Sequence, residues 1–162
     1  MIIVTGACYT GTSIVAGTLH RLGVSMGENT GSRYEDARFA SFDHITLHAI
    51  LNNSVGGFKH PYAYQWLDKV IHLLKDAHFI YCSRDVYKRH LDNPQKYNER
   101  SIFEGLSQQA EWANFFLKHN ITPLIIDFEL SQQAKIDLLC TTFDLTPTPH
   151  ALEFYNKQEG YR

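Results

Sequence analysis

IIVTGACYTGTS (residues 2–13) decides how the rest of the chain is read. Ile2, Ile3, Val4 and Thr5 form a short β-branched run suited to a buried central strand. Gly6 and Gly11 bracket a loop, and Gly11-Thr12-Ser13 leads into a segment with Val15, Leu19 and Leu22 at helical spacing. Gly23 follows as a C-terminal cap, with His20 and Arg21 in the last turn. Strand, glycine loop and helix give the outline G-x-x-x-x-G-x-[S/T] of a phosphate-gripping loop. In such a loop successive backbone N–H groups form a concave nest, and the positive end of the helix dipole adds to the attraction. Gly6, Tyr9, Thr10, Gly11, Thr12 and Ser13 are the residues expected to line it. A triphosphate loop carries lysine where Thr12 stands, and also needs a metal. The expected anion is therefore less highly charged than a triphosphate. A tight strand-to-helix turn with no ligand is the alternative.

Outward from the loop, turn residues crowd 26–33, and a second helix is expected over 34–51 with Phe39, Phe42, Ile45 and Ala49 on one face. A short strand is expected at 56–59, and Pro61 opens a third helix with Trp66, Leu67, Val70, Leu73 and Leu74 inward. HFIYCS (78–83) reads as a buried strand, followed by a charged segment and a polar, proline-broken loop over 92–99. Ser101-x-x-Glu104 is a capping box opening a long helix with Leu106, Ala110, Ala113, Phe116 and Leu117 inward. PLIID (123–127) is a further strand, and Ser131 caps a last helix carrying Ile136, Leu139, Cys140 and Phe143. Strands alternate with helices and no hairpin signal joins two strands. The expected fold is one α/β domain over residues 1–162, a three-layer α/β/α sandwich with a mainly parallel sheet, of P-loop nucleoside triphosphate hydrolase-like type.

A chain of 162 residues that is 44% hydrophobic can build one packed core, which excludes a disordered class. A formal charge of −2 is not that of a dedicated nucleic-acid binder. Cys8, Cys82 and Cys140 are too scattered for a zinc site or a disulfide framework. No basic leader precedes the first apolar run, and no stretch approaches the ~20 apolar residues that cross a bilayer. The expectation is a soluble cytoplasmic protein whose partners are neither nucleic acid nor membrane. His44 and His48 stand four apart but lack a third ligand, so a solvated helix face is expected there.

GACYTGTS (6–13) resembles the 5′-phosphosulfate loop of the sulfotransferases, which move a sulfuryl group from 3′-phosphoadenosine 5′-phosphosulfate (PAPS). That loop reads G-x-[PS]-[RK]-S-G-T-[ST], with threonine in place of the lysine. Gly6, Gly11, Thr12 and Ser13 keep the pattern, and SIVAGTLHRLGVSMGE (13–28) continues like bacterial members. SRYEDARF (32–39) resembles the family's G-Y-x-E-D-x-x-F, and GGFKHP (56–61) is similar to its K-x-P segment. FIYCSRDVYKRH (79–90) resembles the strand and loop that hold the 3′-phosphate, R-[ND]-P-x-x-x-x-x-S. PLIIDFEL (123–130) with LLCTTFDL (138–145) is similar to the ending Y-E-D-L…F-L-G-L. The resemblance runs in order over most of the chain and is strongest before Pro61.

By that resemblance the activity is PAPS-dependent sulfuryl transfer, with adenosine 3′,5′-bisphosphate (PAP) as product, no metal required, and a small molecule or glycan as acceptor. Lys59 contacts the transferring group, Arg84 meets the 3′-phosphate, and either His60 or Glu35 is the base. Two positions depart from the pattern. Tyr9 stands where the loop has a basic residue, and the place of the 3′-phosphate serine is Asp92, an anion. Arg89 or Lys88 then substitutes by ion pairing. Residues 29–34 and 92–99 are the expected acceptor walls. Two other functions stay open: a divergent P-loop kinase or NTPase with Asp127 near magnesium, and a non-catalytic sulfotransferase-like nucleotide-binding protein.

Overall fold

The computed structural model describes residues 1–27, 33–40, 43–52, 55–92, 94–95 and 97–152. The opening run is strand β1, Ile2–Gly6, and its side chains divide between two faces as the two-residue period of a strand requires. Ile3 joins one core with Phe39, Phe58, Trp66, Phe79, Trp112 and Phe115. Ile2 and Val4 join the other with Val15, Leu19, Ile80, Cys82, Ile126 and Leu139. β1 is therefore buried on both sides, which is why it reads as an unbroken apolar run.

The remaining strands are β2 Gly57–Lys59, β3 His78–Ser83 and β4 Leu124–Asp127, in the order β2-β1-β3-β4 with every pair parallel. Val4 pairs with Lys59, Gly6 with Cys82, and Ser83 with Asp127. Helix α1 (Thr12–Arg21) and helix α6 (Gln132–Phe143) cover one face. Helices α2 (His44–Leu51), α3 (Tyr64–Leu67) and α5 (Glu99–Lys118) supply the other. The fold is α/β, with helical layers on both faces of a four-stranded parallel sheet. From β1 the chain moves to one side and from β3 to the other. The crevice between their carboxyl ends is the position where open parallel sheets bind ligands. The β1–α1 loop, Lys59, Arg84 and the residues after β4 all gather on that edge.

Local chemistry alters several expected elements. The helix expected over 34–51 is divided, because two aspartates each cap a separate turn. Asp36 Oδ1 accepts the Arg38 amide at 3.0 Å for a 3₁₀ turn Ala37–Phe39, and Asp43 Oδ1 accepts those of Ile45 and Thr46 at 2.9 and 3.0 Å for α2. Phe42 lies outside the described residues, as do 28–32. The helix expected after Pro61 shrinks to α3 and a 3₁₀ turn Ile71–Leu73, while Trp66, Leu67, Val70 and Leu74 are buried as expected. The charged segment after β3 is a helix, α4 (Val86–Asp92), with Asp85 Oδ1 accepting the amides of Tyr87 and Lys88. Helix α5 is capped by Asn98, whose Oδ1 takes the Ser101 amide at 3.0 Å, rather than by Ser101. Packing against the sheet and α3 turns Ile102, Gly105, Trp112, Phe115 and Phe116 inward and leaves Ala110, Ala113 and Leu117 exposed. Ser131 caps α6 as expected. Among the described residues no helix is long and apolar enough to cross a membrane.

Candidate functional site

The loop between β1 and α1 is shaped by backbone that only certain residues accept. Gly6 has φ +152° and Gly11 has φ +87°, and Gly11 is the helix cap without any side-chain bond to the first turn. Val15 and Ile14 return their amides to the Gly11 carbonyl at 3.1 and 2.9 Å. Among the described residues nothing accepts from the amides of Gly11, Thr12 or Ser13, so the start of α1 presents open donors and the positive end of its dipole. Thr10 is different: its side chain is buried and its hydroxyl donates to the Ala7 carbonyl at 2.7 Å, so it bonds within the loop.

Cys8 is held at several atoms. Its amide donates to Gln108 Oε1 at 2.7 Å, its carbonyl accepts from Arg89 Nη1 at 2.8 Å, and its thiol donates to the Tyr62 hydroxyl at 2.9 Å. Gln108 comes from α5, so the long helix braces the loop from below. Arg89 is 1% exposed and its second bond, Nη2 to the Ser101 carbonyl at 2.7 Å, is again to backbone. Burial lowers its pKa from the ordinary arginine value. The expectation that Arg89 meets a 3′-phosphate is thus set against a guanidinium lying under the loop.

Tyr9 occupies the left-handed region at φ +66°, which costs a non-glycine residue about 1 kcal/mol. It is 56% exposed, its ring meets Tyr97 edge-on at 5.1 Å, and the Arg89 guanidinium lies 5.6 Å from its centroid. Where a basic residue was expected, an aromatic ring with a buried cation behind it is found.

Lys59 ends β2 opposite Val4, is 2% exposed, and donates its ammonium to Glu35 Oε1. Burial lowers its pKa, while the Glu35 carboxylate, followed by Cys8 and Cys82, works the other way. His60 follows with its own pKa lowered, first by burial and then by Lys59, against the pull of Glu35. His60 Nδ1 is buried and bonds nothing among the described residues. Lys59, His60 and Glu35 are brought together at one corner of the loop.

Across the loop, Arg84 leaves β3 and stacks 4.0 Å over the Phe128 ring. Phe128 also roofs Gly11, where a Cβ would stand 2.7 Å from the ring. Arg84 Nη2 donates to Asp92 Oδ2 at 3.2 Å, and Lys88 pairs with Glu129 at 2.6 Å. Lys135 of α6 is buried and donates to the carbonyls of Phe128 and Leu130, with its pKa lowered by burial. Sequence reasoning missed Gln108, Phe128, Tyr62 and Lys135. For Lys135 a signal existed, since it falls on the same helical face as Gln132, Ile136 and Leu139. The others are brought in by tertiary packing alone.

His48 bonds Asn52 on the exposed side of α2, and among the described residues no cluster of His, Cys, Asp and Glu is arranged to hold a metal. Cavities of about 340 and 160 Å³ lie away from the loop, the larger at the opposite end of the sheet between Leu74, Phe79 and Ile121. No family model, curated protein or solved structure matches the chain.

Proposed function

We propose that this chain transfers a sulfuryl group from PAPS to a hydroxyl or amine acceptor, on a fold of the P-loop nucleoside triphosphate hydrolase-like type. The observation that carries the reading is Lys59, a buried ammonium beside a glycine-bracketed loop that has threonine in place of its own lysine. Positive charge fixed where a leaving phosphate gains charge is the largest single contribution a protein makes to such a transfer. The residues fit the phosphosulfate end of the donor. Open amides at Gly11, Thr12 and Ser13, with the hydroxyls of Thr12 and Ser13, suit an anion of modest charge. Arg89 under the loop adds positive potential without competing for the ligand.

When bound, PAPS supplies the sulfur–oxygen bond that breaks, and PAP keeps the electron pair. The acceptor oxygen forms the new bond to sulfur and gives up its proton. His60 Nε2 is the base, because Glu35 is engaged by Lys59 and the lowered pKa of His60 keeps the ring neutral. Lys59 neutralises the departing oxygen, and Glu35 fixes the ammonium in place.

Labelled sulfate from PAPS, offered with sugar and phenolic acceptors in the presence of a chelator, tests the reading. Transfer is the expected result. PAP binding without transfer to any acceptor would favour the non-catalytic reading instead. The pH dependence gives a second check. A histidine whose folded pKa lies below 6.5 stays neutral to lower pH than a free one. The acid limb of kcat/KM should therefore fall below pH 6.5, and His60→Gln should abolish that limb together with most of the rate. The same shift makes the contribution of His60 to stability full above pH 6.5 and lost as pH falls below it.

A further inference from the structure

On the side of the loop away from Lys59, Arg84 is held in an unusual way. Its guanidinium lies flat on Phe128 at 4.0 Å, its Nε is buried and bonds nothing among the described residues, and Nη2 reaches Asp92 Oδ2 at 3.2 Å. The arginine is 14% exposed and the aspartate 49%. The cation is thus the fixed member of the pair and the carboxylate the replaceable one. Asp92 is the last residue of α4, at the negative end of that helix, where a carboxylate is disfavoured unless a cation compensates it. Its one bond among the described residues is the bond to Arg84. The neighbouring cations are committed elsewhere, Lys88 to Glu129 and Arg89 to the carbonyls of Cys8 and Ser101.

We propose that the Asp92 carboxylate is an internal stand-in for a phosphate on the ribose side of the nucleotide, occupying Arg84 until that phosphate displaces it, and so sets how strongly the site favours a 3′-phosphorylated ligand. The inference rests on the phosphosulfate reading above. The carboxylate half of the pair lies open to water, where solvent weakens an ion pair, so a phosphate able to take both Nη groups displaces it. The displaced carboxylate stays close, and its repulsion of a dianionic phosphate reduces the gain. Asp92 is therefore a specificity-determining residue, and its charge is the operative property.

Calorimetric titration of PAP and of adenosine 5′-monophosphate into the unaltered protein, Asp92→Asn and Asp92→Glu tests this, with melting curves to verify that each is folded. Asp92→Asn should bind PAP on the order of tenfold more tightly, with adenosine 5′-monophosphate unchanged. Asp92→Glu, which keeps the charge, should stay near the unaltered protein. The Asn gain should shrink as salt is raised. Equal PAP affinity in the unaltered protein and Asp92→Asn overturns the inference and leaves the phosphosulfate reading standing. An equal gain for both nucleotides also overturns it, since the effect would then not concern the 3′-phosphate. If neither nucleotide binds any of the proteins at millimolar concentration, the inference and the reading it rests on both fail.

Discussion

Replacing Lys59 by methionine should lower kcat for sulfuryl transfer by about 10³-fold while leaving the protein folded and its melting temperature unchanged or slightly higher. The two halves of this expectation come from one fact, that the ammonium is 2% exposed. Desolvation opposes the charged form and lowers the pKa of Lys59, and among the described residues its one hydrogen bond is to Glu35. Replacing a buried ion pair by apolar groups is often neutral or stabilising, and removing one partner is costly where the other charge is left buried and uncompensated. Glu35 is about one-third exposed and can be rehydrated when its partner is gone. Steady-state kinetics beside a melting curve separates the outcomes: a loss of stability with kcat preserved would make Lys59 a structural residue.

Gly6→Ala should destabilise the chain by about 3 kcal/mol, a fall in melting temperature of roughly 10 °C for a domain of this size. At φ +152° a side chain is strained, and the added Cβ would lie 2.6 Å from the Cys82 carbonyl and 2.6 Å from Thr10 Oγ1. The first contact is with backbone of the neighbouring central strand and cannot yield cheaply. Gly23 is the matched control. It also has positive φ, +94°, but nothing lies within 4 Å of its Cβ position. Gly23→Ala should therefore cost only the conformational strain, about 1 kcal/mol. Thermal melts of the two variants that differ by less than the scatter would show that close approach to β3 is not what Gly6 provides.

The central strands β1 and β3 were legible because side chains buried on both faces of the sheet leave an apolar run. HFIYCS is β3 to the residue, and Ser131 capped the helix expected of it. Helix boundaries were less legible wherever two capping residues compete. Asn98 starts α5 before Ser101 can, and Asp36 and Asp43 divide one expected helix. Helix α4 escaped notice because just two of its side chains, Val86 and Arg89, are buried, and one of those is charged. Of the site, Lys59 and Glu35 could be named from the resemblance of GGFKHP and SRYEDARF to sulfotransferase segments, and His60 from its place after Lys59; the three are found together. What could not be read was how the loop is braced. Gln108 on Cys8, Phe128 on Gly11 and Asp92 on Arg84 depend on which helices fold back onto the sheet edge. Local pattern carries no record of that.

On the proposed reading, the open amides of Gly11, Thr12 and Ser13 hold the phosphosulfate end of an adenine nucleotide. Titration of PAP into the metal-free protein tests it most directly. Saturable binding of one nucleotide per chain without magnesium is expected, competitive with PAPS and weakened when Thr12 is replaced by valine. No PAP binding at millimolar concentration, with magnesium-dependent binding of ATP or GTP in its place, would contradict it.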